Sequence, residues 1–231
     1  MKKPMLLLGI DTCGPAGSVA LGRLSAPAPE GVVEVLGQTG LEGRKYAATL
    51  VAAVGDLLAR NGVELRQLDG IVVVNGPGSF TGVRVGLSAV KGLAQATQLP
   101  VVAVSRLEVL AWKAGVPSSA LDAHREEVFL RVERPGLAPR ELLAGAHEFA
   151  AIDPAPARIA VCDEAATVLL AAAWPGSELV RISAPTAADA LEFCAARVAD
   201  GQCADLELLD GHYLRRSDAE IFGEPTEPQR A

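Results

Sequence analysis

The 231-residue chain is half hydrophobic, carries a formal charge of -7 and has a pI near 5.1. That length suits one domain or two small lobes around a sizeable core. The acidic balance argues against a protein that grips a nucleic-acid backbone by itself, since such binding draws on a concentrated basic surface.

No apolar run approaches the ~20 residues that a membrane span requires, and Lys2 to Ile10 lacks the length and cleavage region of a leader, so the expectation is a cytoplasmic protein. Cys13, Cys162, Cys194 and Cys203 are scattered without a C-x-x-C pair, which speaks against structural zinc and a disulfide scaffold. His124, His147 and His212 are too dispersed to show metal-ligand spacing.

Met5 to Ile10 reads as a buried strand, followed by the glycine-bearing turn Asp11 to Gly17 and a second strand from Ser18 to Arg23. After a Pro-rich loop, Gly31 to Gln38 makes a third strand, completing an antiparallel meander. Arg44 to Arg60 has helical spacing and stops at Asn61-Gly62. Ile71 to Val74 is a wholly apolar, β-branched run, the pattern of a strand covered on both faces. The turn Asn75-Gly76-Pro77-Gly78-Ser79 breaks it, and Ser79 caps a helix running to about Gln98, stopped by Pro100. Val101 to Val104 and a helix from Leu107 to Ala114 follow.

The second half reads as a reduced echo. Ser119 to Ala123 and Val128 to Glu133 form a strand pair, and residues 135–156 are rich in Pro and Gly and poorly patterned. Then come a strand at Arg158 to Cys162, a helix at Glu164 to Ala173, a strand at Leu179 to Ile182 and a helix at Ala187 to Ala199. The expected division is an N-terminal lobe over residues 1–105, a smaller C-terminal lobe over 106–216 and a frayed tail over 217–231.

Gly76-x-Gly78-x-x-Thr81-Gly82 falls short of the dinucleotide fingerprint: Thr81 stands where the third glycine belongs, and no acid ends the following strand. What remains is a tight turn with Arg84 and Lys91 nearby. Asp11-Thr12 has two readings, a strand-end turn bonding local amides and a carboxylate holding a Mg-bound phosphate. Ser79 has no matched His and Asp and reads as a cap.

The two first-half helices carry a further signal. Beside the bulky residues that fit a sheet, Ala48, Ala52, Gly55 and Ala59 line one helix and Val85, Ala89, Gly92 and Ala96 the other. Small residues at this spacing let helices approach closely. Either the stripes pack on each other within the chain, or they meet another subunit.

Leu8-Gly9-Ile10-Asp11-Thr12, the run Asn75-Gly76-Pro77-Gly78-Ser79-Phe80-Thr81-Gly82-Val83-Arg84, Lys91-Gly92-Leu93-Ala94 and Val104-Ser105-x-Leu107-Glu108 together resemble the TsaB (YeaZ) family of bacterial subunits for threonylcarbamoyladenosine in tRNA. The resemblance is weaker after Ser105, where Asp122-Ala123-His124-Arg125 departs from the family's Asp-Ala-Arg-Arg, and Tyr213-Leu214-Arg215 is a short closing match.

The resemblance implies an α/β, actin-like (ASKHA), ribonuclease-H-type fold of two lobes with mixed sheets, the second lobe reduced. It implies a non-catalytic scaffold that activates a TsaD-like catalytic subunit, with a TsaE-like ATPase as third component and tRNA reached through the complex. The paired helices would contact TsaD, or a second copy of the chain in a homodimer. ATP and Mg would be used by the complex and none bound tightly by this chain alone, since Val161-Cys162-Asp163-Glu164-Ala165 lacks the glycines of a second phosphate turn. Asp11 and Thr12 would then be a vestigial phosphate site. The alternative is an ATP-dependent small-molecule kinase of the same fold.

Overall fold

The structure is a computed structural model that describes residues 3–25, 32–42, 45–134 and 136–215; the expected tail over 217–231 lies outside the described residues. In chain order the elements are β1 (Met5–Asp11), β2 (Ala16–Leu24), β3 (Val33–Glu42), α1 (Tyr46–Arg60), β4 (Gly70–Val74), α2 (Phe80–Thr97), β5 (Val101–Val104), α3 (Arg106–Ala114), β6 (Ser118–Asp122), β7 (Val128–Val132), β8 (Arg140–Ala144), α4 (Ala146–Ala151), β9 (Arg158–Val161), α5 (Glu164–Ala173), β10 (Glu178–Arg181) and α6 (Ala187–Ala199).

They build two five-stranded mixed sheets, one ordered β3-β2-β1-β4-β5 and the other β10-β9-β6-β7-β8. Read from the opposite edge, the second order is that of the first: two antiparallel partners on one side of the opening strand and two parallel strands on the other. This is the two-lobed ribonuclease-H-type, actin-like α/β fold. The second lobe is smaller through strand length, its strands having four or five residues against up to ten in the first.

Local chemistry sets the element ends. The Ser79 hydroxyl accepts from the Gly82 N–H at 3.2 Å to open α2, and Gln98, in a left-handed conformation at φ 58°, closes it ahead of Pro100. Ser105 does the same for α3 through the Leu107 N–H, and Gly115 closes that helix. The 135–156 stretch holds β8 and α4, which carry no clear period: α4 spans six residues, and Glu148 accepts the Gly145 N–H at 2.9 Å to start it.

The last helix departs from the expected division. Sequence order assigns residues 187–199 to the second lobe, whereas Ala187, Ala190, Leu191, Cys194 and Val198 of α6 are buried in the core of the first sheet. The reason is steric. Gly9 in β1 leaves no room for a side chain, since a Cβ there would lie 2.6 Å from the Ala187 carbonyl oxygen and 2.8 Å from Leu191, so the helix settles directly on the strand. Helices α1 and α2 cover the remaining face, with Leu50, Val54, Leu57, Val83, Leu87 and Val90 buried in the same core. No helix among the described residues is long and apolar enough to cross a membrane.

Candidate functional site

The turn after β1 and the turn after β4 are pressed together. Asp11 and Thr12 are each 1 % exposed. The Thr12 hydroxyl donates to the Gly82 carbonyl at 2.7 Å, and the Ser79 N–H donates to the Cys13 carbonyl at 2.7 Å. Two glycines make this approach feasible: a Cβ at Gly78 would stand 2.1 Å from the Cys13 oxygen, and one at Gly82 2.1 Å from the Thr12 oxygen. The glycines of the motif therefore serve backbone-to-backbone contact. Gly76, at φ 125°, lies against the His212 carbonyl and precedes a cis peptide bond to Pro77.

Asp11 is engaged inside the protein. Its Oδ1 accepts the Cys13 N–H at 2.8 Å and its Oδ2 faces Arg106 Nε at 3.5 Å, an ion pair with both side chains buried. Burial works most strongly against the Arg106 charge, and Asp11 together with the Cys13 and Cys162 sulfurs offsets it, so that the guanidinium is held above its ordinary pKa. Burial, followed by the Asp11 charge, pushes the Cys13 thiol well up, and the same two causes raise Tyr46 to about 12. The Cys13 thiol donates to the Val74 carbonyl and the Tyr46 hydroxyl to the Gly14 carbonyl at 2.8 Å. These groups lock a turn, and a thiol so placed is no nucleophile.

Between the lobes lies a cleft of about 580 Å³, bordered by Cys13, Gly14 and Arg106 on one side and Asp122, His124 and Asp163 on another. Asp11, offered by the sequence as a phosphate ligand, does not line it. The 204–215 segment runs along the first lobe to the cleft. The Ala204 N–H donates to the Val101 carbonyl at 2.8 Å and the His212 N–H to the Asn75 carbonyl at 2.7 Å.

Its side chains then reach the second lobe. His212 Nε2 lies 2.7 Å from Glu141, which also accepts from the Ser105 hydroxyl at 2.6 Å and from Arg131 at 3.1 Å. Burial raises the Glu141 carboxyl, and these hydrogen bonds outweigh it, leaving the group below its usual range. Arg215 pairs with Glu127. Tyr213 packs on Phe80 with ring centroids 4.6 Å apart, and the Arg84 guanidinium sits 3.9 Å above the Phe80 ring. The short Tyr213-Leu214-Arg215 match thus touches the family motif directly. Nothing in the sequence announces the Glu141 cluster, whose members are 10, 36 and 71 residues from it.

The small-residue stripes lie elsewhere, on the outer face of α1 and α2. Ala48, Ala52, Gly55 and Ala59 are exposed, as are Gly92 and Ala96, while Val85 and Ala89 are half-buried against the core. A Cβ at Gly55 or Gly92 would meet nothing within 4 Å. Val51, beside the α1 stripe, is 68 % exposed. Of the eight stripe positions, six thus lie on the surface and two are half-buried against the core. Among the described residues no group of three or more His, Cys, Asp or Glu is placed to hold a metal ion.

Comparison with known proteins follows this geometry. A family model described as TsaD, tRNA N6-adenosine threonylcarbamoyltransferase, matches residues 40–134. The tRNA threonylcarbamoyladenosine biosynthesis protein TsaB of Escherichia coli is 34 % identical over 131 residues, covering 54 % of this chain and 53 % of that protein. Bacillus subtilis TsaB is 33 % identical over a similar share, so the chain spans about half the length of the curated relatives it matches. Among solved structures, YeaZ from Pseudomonas aeruginosa is 30 % identical with a TM-score of 0.68 and covers 91 % of this chain and 100 % of its own.

The chain belongs to the TsaB/YeaZ family. A second Pseudomonas aeruginosa structure, of an uncharacterized protein with similarity to peptidase YEAZ, agrees at 31 % identity, a TM-score of 0.72 and full coverage of that chain. The family model's span contains α1, α2 and the motif turn.

Proposed function

We propose that this chain is a non-catalytic subunit in the formation of threonylcarbamoyladenosine in tRNA, working in the cytoplasm with a TsaD-like catalytic subunit and a TsaE-like ATPase. A role in that pathway is what its TsaB relatives carry in name. The observation that supports the scaffold reading is the outer face of α1 and α2. Ala48, Ala52, Gly55 and Ala59 beside Gly92 and Ala96 leave a flat, nearly side-chain-free surface with Val51 exposed at its edge. Such a surface suits close packing with helices of another subunit, which is the route by which ridges settle into shallow grooves. A TsaD-like subunit is the partner, and a second copy of this chain takes its place in isolation.

In this reading the transfer of threonylcarbamoyl from its adenylate to N6 of the adenosine beside the anticodon belongs to the partner, as do tRNA contact and the use of ATP and Mg. The engagement of Asp11 by Arg106 and the Cys13 amide fits that division.

The test is co-purification with the cognate TsaD-like subunit, followed by the transfer assay with the TsaE-like ATPase and tRNA. Ala52→Arg places a long charge on the exposed stripe without touching the core, and it is expected to abolish complex formation and stimulation together. An Ala52→Arg chain that still co-purifies overturns the interface. Transfer no faster with the wild-type chain than without it overturns the role. Calorimetry with Mg-ATP on the isolated chain is expected to show no tight binding, and tight binding would favour the kinase reading instead.

A further inference from the structure

We propose that the groove between α2 and the 209–215 segment takes an acidic segment of the subunit that covers the outer face of α1 and α2. This assignment rests on the proposed subunit role and gives its partner a chemistry.

The groove has a volume of about 610 Å³, within the range of pockets that enclose a ligand. Its apolar lining is Phe80 and Leu87 from α2, with Leu209, Tyr213 and Leu214 opposite. Arg84, Ser88 and Lys91 form the polar side. They stand one residue before Val85, Ala89 and Gly92 in turn, a step of about 100° around a helix, so the groove runs beside the proposed interface on α2.

Two cations here have no carboxylate to answer them. Arg84 is exposed, with its guanidinium 3.9 Å from the centroid of the Phe80 ring and 6.0 Å from that of Tyr213, and Lys91 is half-buried. Among the described residues neither forms an ion pair or a side-chain hydrogen bond. Arg215, also in the lining, is taken by Glu127, and the acid beside them, Asp210, accepts the Gly211 N–H at 2.7 Å. The stack on Phe80 holds Arg84 in place before a partner arrives, so less side-chain freedom is lost on docking.

The two helices supply no answer from within. Helix α2 carries no acidic residue, and α1 carries only Asp56. A second copy would bring the same two cations and that single acid, whereas an unlike subunit can set carboxylates against Arg84 and Lys91. Charge of this kind selects among partners more than it adds affinity, because like charges brought together are costly. A nucleic-acid backbone fits less well: two cations beside Asp210, in a chain of formal charge -7, fall short of the basic surface that phosphates require. Apolar lining next to two cations suits the mixed aliphatic and carboxylate side chains of a peptide.

The test is the affinity of the full chain for its cognate TsaD-like subunit, measured by calorimetry over a range of salt. Wild-type affinity should fall as salt screens the pairing. Arg84→Glu with Lys91→Glu should weaken it about tenfold or more at low salt, and the gap should narrow as salt rises. Arg23→Glu, at the exposed pair with Glu34, should leave it within about twofold. Should the double variant not fold, Lys91→Glu alone decides, since that side chain has no ion pair to lose; it should weaken binding about threefold or more.

A charge-reversed chain that binds as tightly as the wild type at low salt overturns the groove assignment and leaves the subunit role standing. A wild-type chain that does not bind the TsaD-like subunit at all overturns both. Self-association of the chain alone that tightens as salt is lowered would mean that a second copy answers the cations. Binding of tRNA by the chain alone that the double variant loses would assign them to phosphate. Either of these results overturns the proposal.

Discussion

The aspartate that ends β1, Asp11, is 1 % exposed, whereas the side chain of Asp122, at the same place at the end of β6, is 25 % exposed. Both accept the N–H of the residue two positions on, Cys13 at 2.8 Å and His124 at 2.7 Å. From there the lobes diverge. In the first, a buried arginine faces the carboxylate and a glycine-bearing turn lies against it, so the strand end is sealed. In the second, His124, Arg125 and Glu126 follow with φ of 61°, 58° and 60°, and the turn stays open to the cleft. The helix after β9 starts on the Asp163 side chain, with no glycine between strand and helix. One strand order thus carries two unlike strand-end turns, and topology alone assigns chemistry to neither.

Substitutions at matched positions can break this comparison. Asp11→Ala leaves Arg106 buried without its counter-ion and is expected to cost about 3–5 kcal/mol in urea unfolding, while Asp122→Ala, at a partly exposed site, should cost roughly 1 kcal/mol or less. Equal losses would mean that the first turn is no more sealed than the second.

Gly78→Ala and Gly82→Ala force a Cβ to 2.1 Å from a backbone oxygen and should each cost about 1–3 kcal/mol or more. Gly145→Ala, which opens α4 in the second lobe and whose Cβ would find its nearest neighbour at 3.5 Å, should change stability by roughly 0.5 kcal/mol at most.

Glu141→Gln tests the bond between lobes and should cost roughly 1–2 kcal/mol at neutral pH. The sign of its pH dependence is fixed by the depressed carboxyl. Stability from Glu141 is present above the unfolded value of about 4.3 and is lost as pH falls through the lower folded value, so the wild-type advantage over Glu141→Gln should shrink in acid. An advantage that grows in acid would contradict the hydrogen-bond assignment. A gain is expected at Glu126→Gly, where relief of a left-handed backbone should raise the midpoint by the equivalent of about 0.5–1 kcal/mol.

The parts legible in the sequence are those whose signals are local. The cap at Ser79, the stop at Pro100, the apolar run Ile71 to Val74 and the span of α6 are set by neighbours within one or two turns, and the structure has them where the pattern puts them. β8 and α4 are short and half-exposed, so neither a two-residue nor a 3.6-residue period develops.

Which sheet α6 covers is not written in its own amphipathic pattern; it depends on Gly9, nearly two hundred residues earlier. Arg106 reads as an ordinary residue in the first turn of a helix, and only the fold brings it to Asp11 across the first lobe. The small-residue stripes are visible as periodicity, but their division into six surface positions and two half-buried ones is settled only by packing against the core.

The return of α6 to the first sheet also orders events during synthesis. One face of that sheet stays bare until residues 187–198 have been made, whereas the strands of the second sheet, β6 to β10, are contiguous in the chain and finish at Arg181. The lobe that begins the chain therefore depends on contacts between its first strand and its last helix, separated by most of the sequence, and contacts of that range form slowly. A chain ending before Ala187 would hold every strand of the second sheet while one apolar face of the first stayed uncovered, an order of completion opposite to the order of the sequence.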